Sequence, residues 1–196
     1  MAYSDFTLEK LKKQFAVIHE RAELFAKPNR IIEPSAGLLH ELTVNRNFST
    51  FSEKAKSEFL IVPILRELYQ RNEGRFTIFS GMAFDVTDSL HGYCDYILSQ
   101  ENRSITVEAP IFCLVEAKSR GVEEGLGQCG AEMYAAWLFN QEAGKPVPAI
   151  FGAVTNGFDW LFLRYEGDKL HIDIDRFYLG DLPQLLGALQ TVVDSY

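Results

Sequence analysis

At Gly74 the hydrophobic period of the chain changes. Upstream, apolar residues recur three and four positions apart; downstream, they gather into short extended runs separated by glycine, proline and asparagine. A chain that is helical first and extended afterwards, with one helix set among its strands, has to lay helices against a sheet. Before Gly74, Thr7 can cap a helix carrying Leu8, Leu11, Phe15, Ile18 and Phe25, broken at Lys27-Pro28-Asn29. A short helix after Ser35 carries Leu38, Leu39 and Leu42. Ser52 starts a longer one over 53–71, in which Pro63 removes a backbone donor and predicts a kink. After Gly74, residues 75–79, 93–98, 105–107, 111–118, 148–154, 160–165 and 170–174 read as strands, with Pro110 as a break between the third and fourth. A glycine-rich stretch over 121–127 leads into a helix over 126–140. Asn156-Gly157 signals a hairpin, and a helix over 182–193 closes the chain. The fold class is therefore α/β (α+β), a mixed central sheet flanked by helices. Residues 1–52 read as an N-terminal helical extension packed on a core of residues 53–196, a single domain overall.

Composition narrows the class further. With 196 residues, 47% of them apolar and 13% aromatic, the chain can bury a full core, which excludes a disordered protein. The longest apolar run, 59–65, is far short of the roughly 20 residues a bilayer requires, so no membrane span is expected. Asp5, Glu9, Lys10, Lys12, Lys13, Glu20 and Glu23 crowd the first 25 positions, which excludes a signal peptide there. Cys94, Cys113 and Cys129 are odd in number, form no CxxC and sit among apolar neighbours. They read as reduced, buried thiols of a cytoplasmic protein rather than a disulfide frame or a zinc site. The net charge of −8 is unevenly spread: +2 over residues 1–75 and −10 over 76–196. Such a balance does not suit sequence-independent binding to nucleic acid, and it makes Lys118, one of seven cations in the acidic part, conspicuous.

Lys118 ends the most informative run. Ile111-Phe112-Cys113-Leu114-Val115 is an aliphatic strand that closes on Glu116-Ala117-Lys118. Period-2 geometry puts Glu116 and Lys118 on one face and Val115 and Ala117 on the other. The preceding strand offers Asp95, and if the two strands pair, Asp95 and Glu116 converge with Lys118 beside them. Two carboxylates that close repel unless a cation intervenes. A hard divalent ion with oxygen ligands resolves the repulsion and can polarise a phosphoryl oxygen. The lysine can then orient or deprotonate water, or neutralise developing charge. Taken singly, each residue has a plainer reading: Glu-x-Lys as a same-face ion pair, Asp95 as a strand-end cap, Gln128 and Glu132 as the polar face of a helix, Glu58 as a surface carboxylate.

Together, in this order and spacing, the residues resemble the PD-(D/E)xK, restriction-endonuclease-like nuclease superfamily, over residues 53–165. Asp95 matches the family's first acid and Glu116-Ala117-Lys118 its second motif. Gln128 matches the glutamine of the following helix, and Glu58 the acid of the leading helix. Thr155-Asn156-Gly157-Phe158-Asp159-Trp160 is similar to the strand end and aromatic return strand of bacterial members. Cys94 stands where the family has proline, and Glu132 where members with this glutamine often carry tyrosine; Tyr134 lies two residues on. The resemblance implies a Mg²⁺- (or Mn²⁺-) dependent nuclease hydrolysing phosphodiester bonds in DNA. It implies Asp95, Glu116 and the Ala117 carbonyl as metal ligands, Lys118 at the attacking water, Glu58 at a second ion or metal water, and Gln128 on a water or phosphate oxygen. It leaves a homodimer or a partner subunit open. The alternative is a non-catalytic member of the same fold, serving as a binding or regulatory partner.

Competing motifs are weaker. Gly125-Leu126-Gly127-Gln128-Cys129-Gly130 spells G-x-G-x-x-G. Yet six residues separate it from the strand, Glu123 and Glu124 would repel a pyrophosphate, and no acid follows near 145–147 to hold a ribose. His19, His40, His91 and His171 never fall at ligand spacing; His91 alone lies near Asp95 in sequence. Tyr93, Tyr96, Phe158 and Trp160 could stack on bases or pack in the core.

Overall fold

The run Ile-Phe-Cys-Leu-Val-Glu-Ala forms strand β4 (Ile111–Ala117), and all seven residues are buried. A strand with no polar alternation needs cover on both faces, and the computed structural model, which describes residues 1–101 and 103–196, supplies it. Around β4 lie β1 (Ile18–Ala22), β2 (Thr77–Ala83), β3 (Tyr93–Ser99), β5 (Ile150–Thr155), β6 (Asp159–Glu166), β7 (Lys169–Asp173) and β8 (Phe177–Tyr178). They make one sheet in the order β1-β7-β6-β5-β4-β3-β2, with β8 added on β6. The pairs β4–β5 and β1–β7 are parallel and the others antiparallel, so the sheet is mixed as the sequence predicts.

Helices α2 (Ala36–Asn45), α4 (Val62–Arg71) and α6 (Leu182–Asp194) cover one face, where Leu38, Ile64 and Leu185 join Val115, Ala153 and Phe162 in a common core. Helices α1 (Leu8–Phe15) and α5 (Leu126–Glu142) cover the other, where Leu11, Cys129 and Met133 join Leu114 and Val154. Parallel β4 and β5 need a crossover, and α5 is that crossover. The hairpin after β5 turns at Gly157, whose φ of +86° suits glycine.

Four local expectations change. The first helix ends at Phe15, because Ala16 takes the left-handed conformation (φ 59°); residues 18–22 leave as β1 and pair in parallel with β7. That strand, Ile-His-Glu-Arg-Ala, is a mostly exposed edge with no apolar alternation to reveal it. The first 52 residues thus contribute a strand to the sheet as well as helices. Residues 105–107 form no strand: Ile105 is 91% exposed, and the loop is held by Ser104, Thr106 and Glu108 side chains. The long helix from Ser52 is three pieces, α3 (Glu53–Lys56), a π-helical turn over Ser57–Ile61, and α4. The disturbance expected at Pro63 is taken up one turn earlier, where Val62 N–H reaches back to the Ser57 carbonyl. The glycine-rich stretch includes a 3₁₀ turn over Val122–Gly125.

Candidate active site

Strands β3 and β4 pair from Ser99↔Ile111 as far as Tyr96↔Val115, and no further. Beyond that point the two chains part, leaving the Ala117 amide without a backbone partner from β3. Asp95 fills the gap: its Oδ2 accepts from Ala117 N–H at 2.7 Å. On the other side β4 remains joined to β5 through Ala117↔Thr155, and Lys118 N–H donates to the Thr155 carbonyl at 2.8 Å. The end of β4 is therefore gripped from both sides, and the side chains of 116 and 118 project together toward α5.

Lys118 Nζ lies 2.5 Å from Glu116 Oε1 and 3.0 Å from Gln128 Oε1. Gln128 Nε2 in turn donates to Glu132 Oε1 at 3.1 Å, one turn further along α5. The Glu116 side chain is 3% exposed and that of Lys118 17%. Three of the predicted residues thus form a continuous network, Glu116–Lys118–Gln128, with Asp95 beside it on the Ala117 amide. Ala117 places its side chain in the opposite core, and its N–H is what Asp95 holds.

Burial pushes the Glu116 carboxyl up to about 8, and neighbouring Asp95 adds to the shift, while Lys118 opposes it. Glu132, wholly buried, is raised well above the ordinary carboxylate range by desolvation and by Glu116. Burial works to lower Lys118, but the Glu116 carboxylate outweighs it and holds the amine above its usual value. Lys118 is an ammonium at neutral pH. Glu116 Oε2 and Glu132 Oε2 are both buried with no hydrogen-bond partner among the described residues.

Two acidic residues stand differently from expectation. Glu58, on the π turn, pairs with Lys54 at 3.3 Å and is half-exposed; among the described residues it makes no hydrogen bond to Asp95, Glu116 or Lys118. Glu53, on α3, adds to the negative field that raises the Lys118 amine, after Glu116. Glu132, which reads as part of the polar face of a helix, is buried and closes the network at its far end, where it accepts from Gln128 Nε2. The signal lay in its neighbours: Cys129-Gly130-Ala131 and Met133 leave no room for a water-facing stripe. Tyr134 packs against Phe15, Trp137 and Tyr165, away from the network. His91 stays with the N-terminal segment, its carbonyl accepting from Tyr3 N–H. Of the aromatics, Trp160 and Tyr96 are core residues, whereas Tyr93 (73%) and Phe158 (45%) are exposed. The three cysteines are buried and free, their thiols pushed up by burial.

The G-x-G-x-x-G glycines are explained by close packing. A Cβ at Gly125 would lie 2.6 Å from Val154 Cγ1 and 3.1 Å from Lys118 Cε. At Gly127 it would meet the Phe6 carbonyl oxygen at 2.3 Å, and at Gly130 Leu11 and Leu170, both at 2.9 Å. Gly125 thus makes room for the lysine stem; the other two let the N-terminal segment lie on α5.

No family model and no curated protein matches the chain. Three chains of solved structures do. One, described as "cryoEM structure DrdV-DNA complex", is 9% identical with a TM-score of 0.47; the match covers 82% of this chain and 14% of that one. This chain thus spans about a seventh of that protein's length.

The network suits a hard divalent ion by the chemistry of its donors. Asp95 and Glu116 bring two carboxylates to one end of β4, and a buried oxygen of Glu116 lacks a partner. Among the described residues no three His, Cys, Asp or Glu side chains are arranged to hold an ion. Mg²⁺ does not need three, since it commonly takes one or two carboxylates and fills its octahedron with water and substrate oxygens. No helix among the described residues is long and apolar enough to cross a membrane.

Proposed function

We propose that this site hydrolyses phosphodiester bonds in DNA with the help of Mg²⁺ or Mn²⁺, on the restriction-endonuclease-like plan that the sequence resembles. The observation that carries the reading is the meeting of Asp95, Glu116, Lys118 and Gln128 at one strand end. A bridging helix completes the group, and one buried carboxylate oxygen is left unpartnered. Asp95 and Glu116 would hold the ion, with the Ala117 carbonyl as the further ligand implied by the resemblance. When bound, the ion supplies Lewis-acid polarisation of the phosphate and a more acidic water.

The chain's own residues do the remaining work. Lys118, whose amine lies above its usual value and is therefore an ammonium at neutral pH, is suited to neutralise charge growing on a phosphate oxygen rather than to remove a proton. Gln128 restrains the lysine laterally and Glu132 restrains Gln128, so the ammonium is held before substrate arrives. Asp95, fixed on a backbone amide, cannot swing away from the strand end.

The test begins with metal alone. Mg²⁺ at a hundredfold excess over its Kd should stabilise the protein by about 2.7 kcal/mol, and Glu116→Gln should abolish that shift. With DNA present, loss of Asp95, Glu116 or Lys118 should reduce cleavage at least about a hundredfold. A melting temperature indifferent to both divalent ions, in wild type and variant alike, would refute the metal reading and leave the fold as a binding or regulatory partner.

A further inference from the structure

Strand β3 changes faces part-way along. Alternate residues of a strand share a side, and Leu98 and Tyr96 duly lie in the core on the α4 side, with Ile97 on the α5 side. Cys94, two positions before Tyr96, belongs by this alternation with Tyr96. Instead it packs on the α5 side, in the core of Cys129 and Met133. Strand β2 does the same. Ile78 lies against the α4-side core and Phe79 in the α5-side core, yet Met82, three residues past Phe79, also lies against the α5 side.

Both reversals fall at one place. The two strands pair as Ser80↔Tyr96 and then as Met82↔Cys94, which sets Gly81 opposite Asp95. Gly81 has a φ of +63°, a left-handed conformation that turns a chain out of the pleat and that glycine adopts far more readily than other residues. Space is not what calls for glycine here. A Cβ at Gly81 would meet nothing within 4 Å, whereas at Gly125, Gly127 and Gly130 it would collide. The position demands the backbone conformation itself.

We infer that Gly81 is a positioning residue for the candidate metal site: its left-handed backbone lets β2 and β3 turn over together, and that turn aims Asp95 at the end of β4. The consequence shows in the β3–β4 ladder, which stops at Tyr96↔Val115. Continued in the same register, the ladder would bring Cys94 opposite Ala117, where its backbone carbonyl can take the Ala117 amide. The turn withdraws that partner, and Asp95 Oδ2 accepts from Ala117 N–H in its place, at 2.7 Å. One of the two carboxylates proposed to hold the ion is thus delivered by a residue on the outermost strand that touches neither ion nor substrate. This inference rests on the metal reading for the role of Asp95 and deepens it. The placement of Asp95 is tested without metal.

The experiment reads the Ala117 amide by NMR of the metal-free protein, as resonance position and hydrogen-exchange rate, and then titrates the same samples with Mg²⁺. Asparagine tolerates the left-handed region and valine does not. Gly81→Asn should therefore keep the wild-type Ala117 amide and Mg²⁺ affinity. Gly81→Val should speed exchange at Ala117 and raise the Mg²⁺ Kd roughly tenfold, the population penalty of a side chain in that region. Gly167→Val is the control. It lies at the β6–β7 turn with φ +67°, and a Cβ there also meets nothing within 4 Å. It should lower the melting temperature while moving neither reading. Should Gly81→Val not fold, Gly81→Ala is read in the same way. The inference is overturned if Ala117 or the Mg²⁺ affinity is unaltered in Gly81→Val, if Gly81→Asn is as damaged, or if Gly167→Val disturbs Ala117 equally. A wild-type protein that binds no divalent ion would refute the metal reading instead, and the Ala117 amide would still show whether Gly81 places Asp95.

Discussion

Gly125→Ala is the sharpest test of how the site is built. The backbone at Gly125 has φ −93° and ψ −7°, which alanine adopts without strain. By chain entropy alone the substitution should stabilise by about 0.4–1 kcal/mol. The structure says otherwise. The new methyl would sit 2.6 Å from Val154 Cγ1, where carbon atoms prefer about 3.5–4.0 Å. It would also press on Lys118 Cε and Cγ at 3.1 and 3.2 Å. Roughly 1 Å of relief must come from β5 or from the lysine stem, and overpacking of that kind costs about 1–3 kcal/mol. Net of the entropic gain, about 1–2 kcal/mol should be lost, a fall of roughly 2–8 °C at about 2–4 °C per kcal/mol. If the stem is what moves, the 2.5 Å contact with Glu116 opens, and the Mg²⁺-induced rise in melting temperature changes as well. Differential scanning fluorimetry with and without Mg²⁺ reads both effects. Gly37→Ala is the control: it lies in the first turn of α2 with its nearest neighbour, Ser35 Oγ, at 3.6 Å, and should be neutral or stabilising. A Gly125→Ala protein that melts as high as wild type, with an unaltered Mg²⁺ response, would refute the packing argument.

Two further outcomes follow from the acids at the strand end. A carboxyl whose folded pKa is raised keeps its proton longer in the folded than in the unfolded chain. Its contribution is therefore full below the ordinary carboxylate value and is lost as pH rises toward the folded one. For Glu116 that window runs from its usual 4.5 up to about 8, and Glu132 acts in the same direction. Metal-free protein should thus lose stability between about pH 5 and 8. Glu132→Gln, which keeps shape and cannot ionise, should flatten the decline; parallel melting curves for the two proteins would contradict it. Asp95→Ala strips the Ala117 amide of its acceptor and should cost about 1–3 kcal/mol in urea unfolding without metal. Asp95→Asn retains an acceptor and should recover most of that while still losing the Mg²⁺ response; equal losses for both variants would show that the amide contact is not what matters.

The layers of the fold were legible because period is a one-dimensional signal. The polar-free run at 111–115 demanded cover on both faces, and Glu116 and Lys118 had to share a side whatever the rest of the chain did. Gly157 announced its turn through the same local logic. Strand β1 was illegible, since a solvated edge carries no alternation and only its pairing with β7 makes it a strand. Residues 105–107 erred the opposite way, β-prone side chains with no partner strand to take them.

The site divides along the same line. The identity and order of Asp95, Glu116, Lys118 and Gln128 were set along the chain, because strand pitch and helix pitch fix what neighbours within one element can do. Which carboxylates crowd the lysine was decided by tertiary packing. Glu132 came inward because α5 is covered by the sheet on one side and by the N-terminal segment on the other. Glu58 came to lie on the π-helical turn, paired with Lys54 and, among the described residues, outside the hydrogen-bonded group. Distances between elements depend on how whole helices seat against the sheet, and no local pattern of residues encodes that.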